Sequence, residues 1–156
     1  MKKEFSIVYK QFSHWTELDK NDQSLVESAN DAMSKAYAPY SNFNVGAVSL
    51  LSNGELVKGN NQENIAYPSG LCAERVALFY AGANFPNESI KTLCIVAKGD
   101  LVPVETILSP CGSCRQVMVE SEKRQGNSFR VILVSQNGAV VVFNSAVDLL
   151  PLAFGV

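Results

Sequence analysis

The chain has 156 residues, 47% of them hydrophobic, with 13 Lys and Arg against 15 Asp and Glu, a net charge of −2 and a pI near 5.4. That length and apolar content suit a single domain over residues 1–156, and the acidic balance with scattered cations argues against a groove that tracks a nucleic-acid backbone. Met1-Lys2-Lys3-Glu4 puts an acid where a signal peptide would begin its apolar stretch, and no run reaches the length of a membrane span, so a cytoplasmic protein with a small-molecule partner and no membrane is expected.

Over residues 1 to about 20, Phe5, Ile7, Val8 and Tyr9 alternate with polar neighbours as an added edge strand would. From about Gln23 to Ala38, Leu25, Val26, Ala29, Ala32, Met33 and Ala36 recur at spacings of three and four, the period of one apolar helix face, and Pro39 stops the run. Val45 to Leu51 and Glu55 to Gly59 read as strands joined by the turn Ser52-Asn53-Gly54. A polar loop, Asn60 to Gly70, is long enough to carry function and leads into a helix from about Cys72 to Gly82. Thr92 to Ala97 is a continuous apolar run, as expected of a central strand buried on both faces. A helix follows from about Gly112 to Lys123. Phe129 to Val134 and Ala139 to Phe143 flank the hairpin signal Asn137-Gly138, and a short helix from Ala146 to Leu150 ends at Pro151. Strands alternating with helices predict an α/β fold, a three-layer α/β/α sandwich around a mixed five-stranded sheet.

The chemistry concentrates at two of these helix starts. Cys72 precedes Glu74 by two residues, and Cys111 and Cys114 follow Ser109-Pro110 about forty residues later. A Cys-x-x-Cys pair opening a helix puts two sulfurs on one face, and a third thiol leaves the fourth position of a tetrahedral zinc site open for chemistry. Three thiolates leave such a site with a net charge of −1 and weaken the metal as a Lewis acid. Two helix N-termini and Arg75, next to Glu74, are placed to draw that charge off the sulfurs. Other uses of these residues stay open from spacing alone: a structural zinc site, two disulfides, or a Cys-x-x-Cys redox pair. A closed structural site needs a fourth Cys or His, whereas Cys94 sits in a predicted core strand and His14, the only His, lies beside Trp15 in the N-terminal segment.

Cys-x-Glu followed by Pro-Cys-x-x-Cys resembles the zinc deaminase signature, in which the Glu shuttles protons and is not a ligand. The resemblance extends further along the chain. Pro39-Tyr40-Ser41-Asn42-Phe43-Asn44-Val45-Gly46-Ala47, Asn61-Gln62-Glu63-Asn64, Cys72-Ala73-Glu74-Arg75, Pro110-Cys111-Gly112-Ser113-Cys114-Arg115-Gln116 and Leu149-Leu150-Pro151-Leu152-Ala153-Phe154 are similar, in order, to motifs of the small homotetrameric cytidine deaminases. That resemblance implies one zinc ion per subunit on Cys72, Cys111 and Cys114, water activated there to attack C4 of cytidine or deoxycytidine, and Glu74 as the proton shuttle to N3 and the departing amine. It implies uridine or deoxyuridine and ammonia as products, in pyrimidine salvage. It further implies that Asn61 and Glu63 bind the ribose hydroxyls, Phe43 packs on the pyrimidine, the backbone of Ala73 and Ser109 contacts the base edge and amine, and Phe154 enters a neighbouring subunit's pocket. Residues 1 to about 20 are then an N-terminal extension, and Asn60 and Asp148 depart from the family's usual Cys and Glu. A deaminase of another aminopyrimidine, such as blasticidin S, and a catalytically silent zinc or nucleic-acid module are the competing readings. The Asn61-x-Glu63-Asn64 motif speaks against the first, and the acidic pI against nucleic acid.

Overall fold

The computed structural model describes residues 1–155. Six strands form one mixed sheet: β1 (Lys10–Phe12), β2 (Phe43–Leu51), β3 (Leu56–Asn60), β4 (Ile90–Gly99), β5 (Arg130–Val134) and β6 (Val140–Phe143), in the spatial order β1-β6-β5-β4-β2-β3. Only β4 and β5 are parallel neighbours, and the other pairs are antiparallel. Three α-helices pack on this sheet: α1 (Lys20–Met33), α2 (Ala73–Asn84) and α3 (Gly112–Gln125).

The period of two along the strands sorts the apolar side chains into two cores. On one face Val48, Cys94, Val96, Ile132, Val134, Val140 and Val142 meet Leu25, Val26 and Ala29 of α1. On the other, Ala47, Leu93, Ile95, Val131, Leu133 and Val141 meet Ala73, Ala77 and Leu78 of α2 and Cys114, Met118 and Val119 of α3. The expected three-layer sandwich is therefore present. Two glycines set how closely the layers approach: a Cβ on Gly46 of β2 would lie 2.0 Å from the Ala29 carbonyl oxygen of α1, and one on Gly59 of β3 would lie 2.4 Å from that of Ala73 in α2.

Three expectations need correcting. The sheet has six strands, not five, because β1 pairs antiparallel with β6 through Lys10↔Val142 and Phe12↔Val140. The added edge strand thus exists, but at Lys10–Phe12, while Phe5, Ile7, Val8 and Tyr9 are exposed. The first helix begins at Lys20, where the Asp19 carboxylate accepts from the Asp22 N–H, and ends at Met33 rather than near Ala38. Its apolar period persists beyond Met33, but Tyr37 exchanges backbone hydrogen bonds with Asn61 and Glu63, and those tertiary pairings take the chain out of the helix. The last predicted helix is a 3-10 turn, Ala146–Leu149, capped by Ser145. No helix among the described residues is long and apolar enough to cross a membrane.

Topology decides where the helices start. β3 and β4 are both antiparallel to β2, so they run in the same direction and end at the same edge of the sheet. α2 follows β3 and α3 follows β4. Their N-termini consequently meet at that edge, on one face.

Candidate active site

Cys72 and Cys111 occupy the N-cap positions of α2 and α3, and neither sulfur caps its own helix. Both are therefore free to face each other. The Cys72 and Cys111 sulfurs lie 3.9 Å apart, those of Cys111 and Cys114 3.4 Å apart, and all three fall within 4.8 Å of one another. Sulfurs about 2.3 Å from a tetrahedral zinc ion stand roughly 3.8 Å from each other, so the cluster fits one zinc ion. All four cysteines are free thiols, and Cys94 is fully buried among the apolar side chains facing α1, as its predicted role as a core hydrophobe requires. The disulfide alternative finds no support in this arrangement.

Electrostatics within the cluster are uneven. A hydrogen bond from Cys114 chiefly, helped by Arg75 and Cys111, draws the Cys72 thiol down to about 5 against the opposing effect of burial. The same hydrogen bond with Cys72, reinforced by burial and the neighbouring Glu74 charge, pushes Cys114 far above its ordinary range. Arg75 Nη2 donates to the Cys72 sulfur across 3.7 Å, while Arg75 Nε is buried with no partner. Arg75, read from the sequence as drawing charge off the sulfurs, thus faces Cys72.

Glu74 stands in the first turn of α2, two residues past Cys72 and only 5% exposed. Burial, with a smaller contribution from the Cys72 charge, raises its carboxyl from the usual range to about 7. A helix N-terminus ordinarily favours an ionised acid. Here desolvation outweighs the dipole, leaving a carboxyl that can hold or release a proton near neutrality.

The other predicted residues fall into three groups. Phe43 opens β2 and is buried, and Asn61 and Glu63 follow β3 beside it. The Asn61 side chain accepts from the Val45 N–H at 2.8 Å and donates to the Phe43 carbonyl at 2.8 Å. Glu63 accepts from the Tyr40 and Ser41 N–H groups and from the Ser41 hydroxyl, which hold its carboxylate below the usual range. Paired backbone bonds between Gln62 and Leu71 bring this strip alongside Cys72. Ala73 is fully buried at the start of α2, and Ser109 precedes Cys111 with its hydroxyl bonded to Arg115 Nη2. Phe154 is different: the residue is 87% exposed, and its own chain does not enclose it. His14, read as a surface residue, is exposed and caps the 3-10 turn at Trp15–Glu17.

Two positioning residues escaped the sequence reading. Arg115 donates through Nε to the Pro110 carbonyl, through Nη1 to that of Leu149 and through Nη2 to Ser109, tying the loop before Cys111 to the C-terminal turn. Glu122, buried on α3, accepts from the Phe129 and Ala146 N–H groups and the Ser145 hydroxyl. Spacing marks neither, because most of their partners are backbone groups, the farthest thirty-four residues away.

With this geometry in place, the comparisons with known proteins become decisive. The profile of the cytidine and deoxycytidylate deaminase zinc-binding region matches residues 19–127. The chain belongs to this family. It is 40% identical over 98 residues to the cytidine deaminase of Halalkalibacterium halodurans, covering 63% of this chain and 70% of that protein. It is 37% identical over 93 residues to the cytidine deaminase of Mycobacterium tuberculosis, covering 60% and 65%. In structure it resembles the cytidine deaminase of Burkholderia pseudomallei with a TM-score of 0.72 and 38% identity, covering 88% of this chain and 100% of that one. The cytidine deaminase of Mycobacterium tuberculosis gives a TM-score of 0.65 at 33% identity, over 88% and 100%.

Proposed function

We propose that the protein is a zinc-dependent cytidine deaminase that converts cytidine and deoxycytidine to uridine and deoxyuridine with release of ammonia. One observation carries this reading: the buried Glu74 carboxyl sits beside three convergent thiols at the shared start of two helices. Cys72, Cys111 and Cys114 would hold the metal, which when bound supplies water acidic enough to act as a nucleophile at neutral pH. Glu74 would take one proton from that water and deliver it to N3 of the pyrimidine, then take the remaining proton of the hydroxyl added at C4 and pass it to the amine, which leaves as ammonia while the carbonyl forms. Its burial fits both tasks, since no bulk water competes for the proton. Arg75 and the N–H groups of the two first turns reduce the negative charge of the sulfurs, keeping the metal electrophilic.

The substrate is read by residues already fixed in place. Phe43 presents its ring to the base. Asn61 and Glu63, locked by their bonds to residues 40–45, offer their remaining hydrogen-bonding capacity to the ribose hydroxyls at little entropic cost. The backbone of Ala73 and Ser109 orients the base edge and the amine. The chain assembles as a homotetramer in which Phe154 of one subunit closes the pocket of its neighbour, which accounts for a large ring held in the open. Residues 1–156 act as one domain, with residues 1 to about 20 as an extension that adds β1 to the sheet edge.

Relative turnover tests this directly. Zinc-loaded protein is expected to release ammonia from cytidine and deoxycytidine much faster than from cytosine or blasticidin S. Absence of ammonia from cytidine would overturn the proposal, and preference for blasticidin S would move it to another aminopyrimidine.

A further inference from the structure

The C-terminal tail is held to α3 by its backbone while its largest side chains remain in solvent. The Phe154 N–H donates to Gln116 Oε1 at 3.0 Å, and Gln116 Nε2 donates to the Phe154 carbonyl at 3.1 Å. Lys123 Nζ, two helical turns further along, donates to the Gly155 carbonyl at 2.8 Å. Ala153 packs against the core, yet Phe154 and Leu152 are 87% and 80% exposed.

A segment whose largest side chains stand in solvent frays unless its backbone is tied down. An amide side chain carries a donor and an acceptor in one plane, so it can satisfy both backbone groups of a single residue. Satisfying both fixes the orientation of that residue and hence the direction of its Cα–Cβ bond. The clamp gives its own subunit no apolar burial of the ring, so its effect lies in where the ring is presented. Gln116 is also two residues past Cys114, on the helix whose first turn holds Cys111 and Cys114. The arm is thereby set in fixed register with the metal-binding end of α3.

We infer that Gln116 is a positioning residue that presents Phe154 to the nucleoside pocket of a neighbouring copy of this chain. The inference rests on the proposal that Phe154 completes that pocket. It predicts coupling between two residues in one subunit, read out in substrate binding at another.

The test is a double-mutant cycle on the zinc-loaded oligomer with cytidine as substrate, using Gln116→Met, which keeps side-chain length and loses both hydrogen bonds, Phe154→Ala, and the pair together. Native mass and zinc content are followed alongside, and Gln116→Ala serves as a second variant should Gln116→Met lose its fold. Gln116→Met is expected to raise KM roughly 5-fold or more, the worth of two lost hydrogen bonds, with kcat, mass and zinc content little changed. The double variant should be no worse than Phe154→Ala alone, because a clamp has nothing to position once the ring is gone. A raised KM for Phe154→Ala with an unchanged KM for Gln116→Met would overturn the inference and leave the pocket reading standing. Fully additive effects would overturn it too, by placing the action of Gln116 elsewhere. An unchanged KM for Phe154→Ala would remove the pocket reading itself, and the inference with it.

Discussion

Replacing Glu74 by Gln separates proton transfer from everything else the residue does. Glutamine matches the volume and shape of glutamate, so the 5% exposed site neither opens to water nor gains a cavity. The change removes only the capacity to carry a proton. The neighbouring ionisable groups, Arg75 and the three thiols, are committed to one another and offer no replacement carrier. One general acid–base step contributes about 10²- to 10⁴-fold. At about 1.36 kcal/mol per tenfold, that is roughly 2.7–5.4 kcal/mol of barrier. Because one carboxyl serves both N3 and the leaving amine, the loss should reach or pass the top of that range, about 10⁴-fold in kcat. Steady-state assays with cytidine, zinc analysis and equilibrium binding of uridine on the same preparation make the check. Zinc content and ligand affinity should stay near those of the parent. A kcat within tenfold of the parent at full zinc content would refute the reasoning, as would zinc loss, which would make Glu74 a support of the metal site instead.

Three further outcomes follow from the packing around the site. Cys111→Ala should lose the metal and lower the thermal midpoint to that of chelator-treated parent protein, because ligation is coupled to folding; equal midpoints for zinc-treated variant and zinc-treated parent would contradict this. Gly59→Ala would force a Cβ to within 2.4 Å of the Ala73 carbonyl oxygen and 2.6 Å of the Ala77 nitrogen, so the first turn of α2 must move. Urea denaturation should show a loss of about 1–3 kcal/mol or more together with a fall in kcat, and a variant as stable and active as the parent would count against the placement of α2 on β3. Glu122→Ala would leave the Phe129 and Ala146 N–H groups unpaired in a buried site, at a cost of about 2–5 kcal/mol in urea denaturation; a change under about 0.5 kcal/mol would show that the staple contributes nothing.

Much of the architecture was legible because it rests on local chemistry. The turn at Ser52-Asn53-Gly54, the β4 run buried on both faces and the apolar stripe Leu25, Val26, Ala29 each carry a short-range signal, and each lies where its period places it. The convergence of Cys72 with Cys111 and Cys114 was foreseeable from two helix starts. What unites them in space is that β3 and β4 run in the same direction. The failures share one physical cause. The end of α1 at Met33, the strand at Lys10–Phe12, and the roles of Arg115 and Glu122 all depend on backbone groups far away in sequence. The apolar period would carry α1 past Met33, but the exchange of Tyr37 with Asn61 and Glu63 decides otherwise. Hydrogen bonds of that kind leave no period and no spacing to read.

Metal reconstitution tests the central claim most directly. Zinc-free protein is titrated with zinc while uridine and ammonia are measured from cytidine. The account predicts that turnover is absent without metal, rises in proportion to bound zinc and saturates at one zinc per chain, with uridine and ammonia formed in equal amounts. Turnover that is independent of zinc, or none at one zinc per chain, would contradict it.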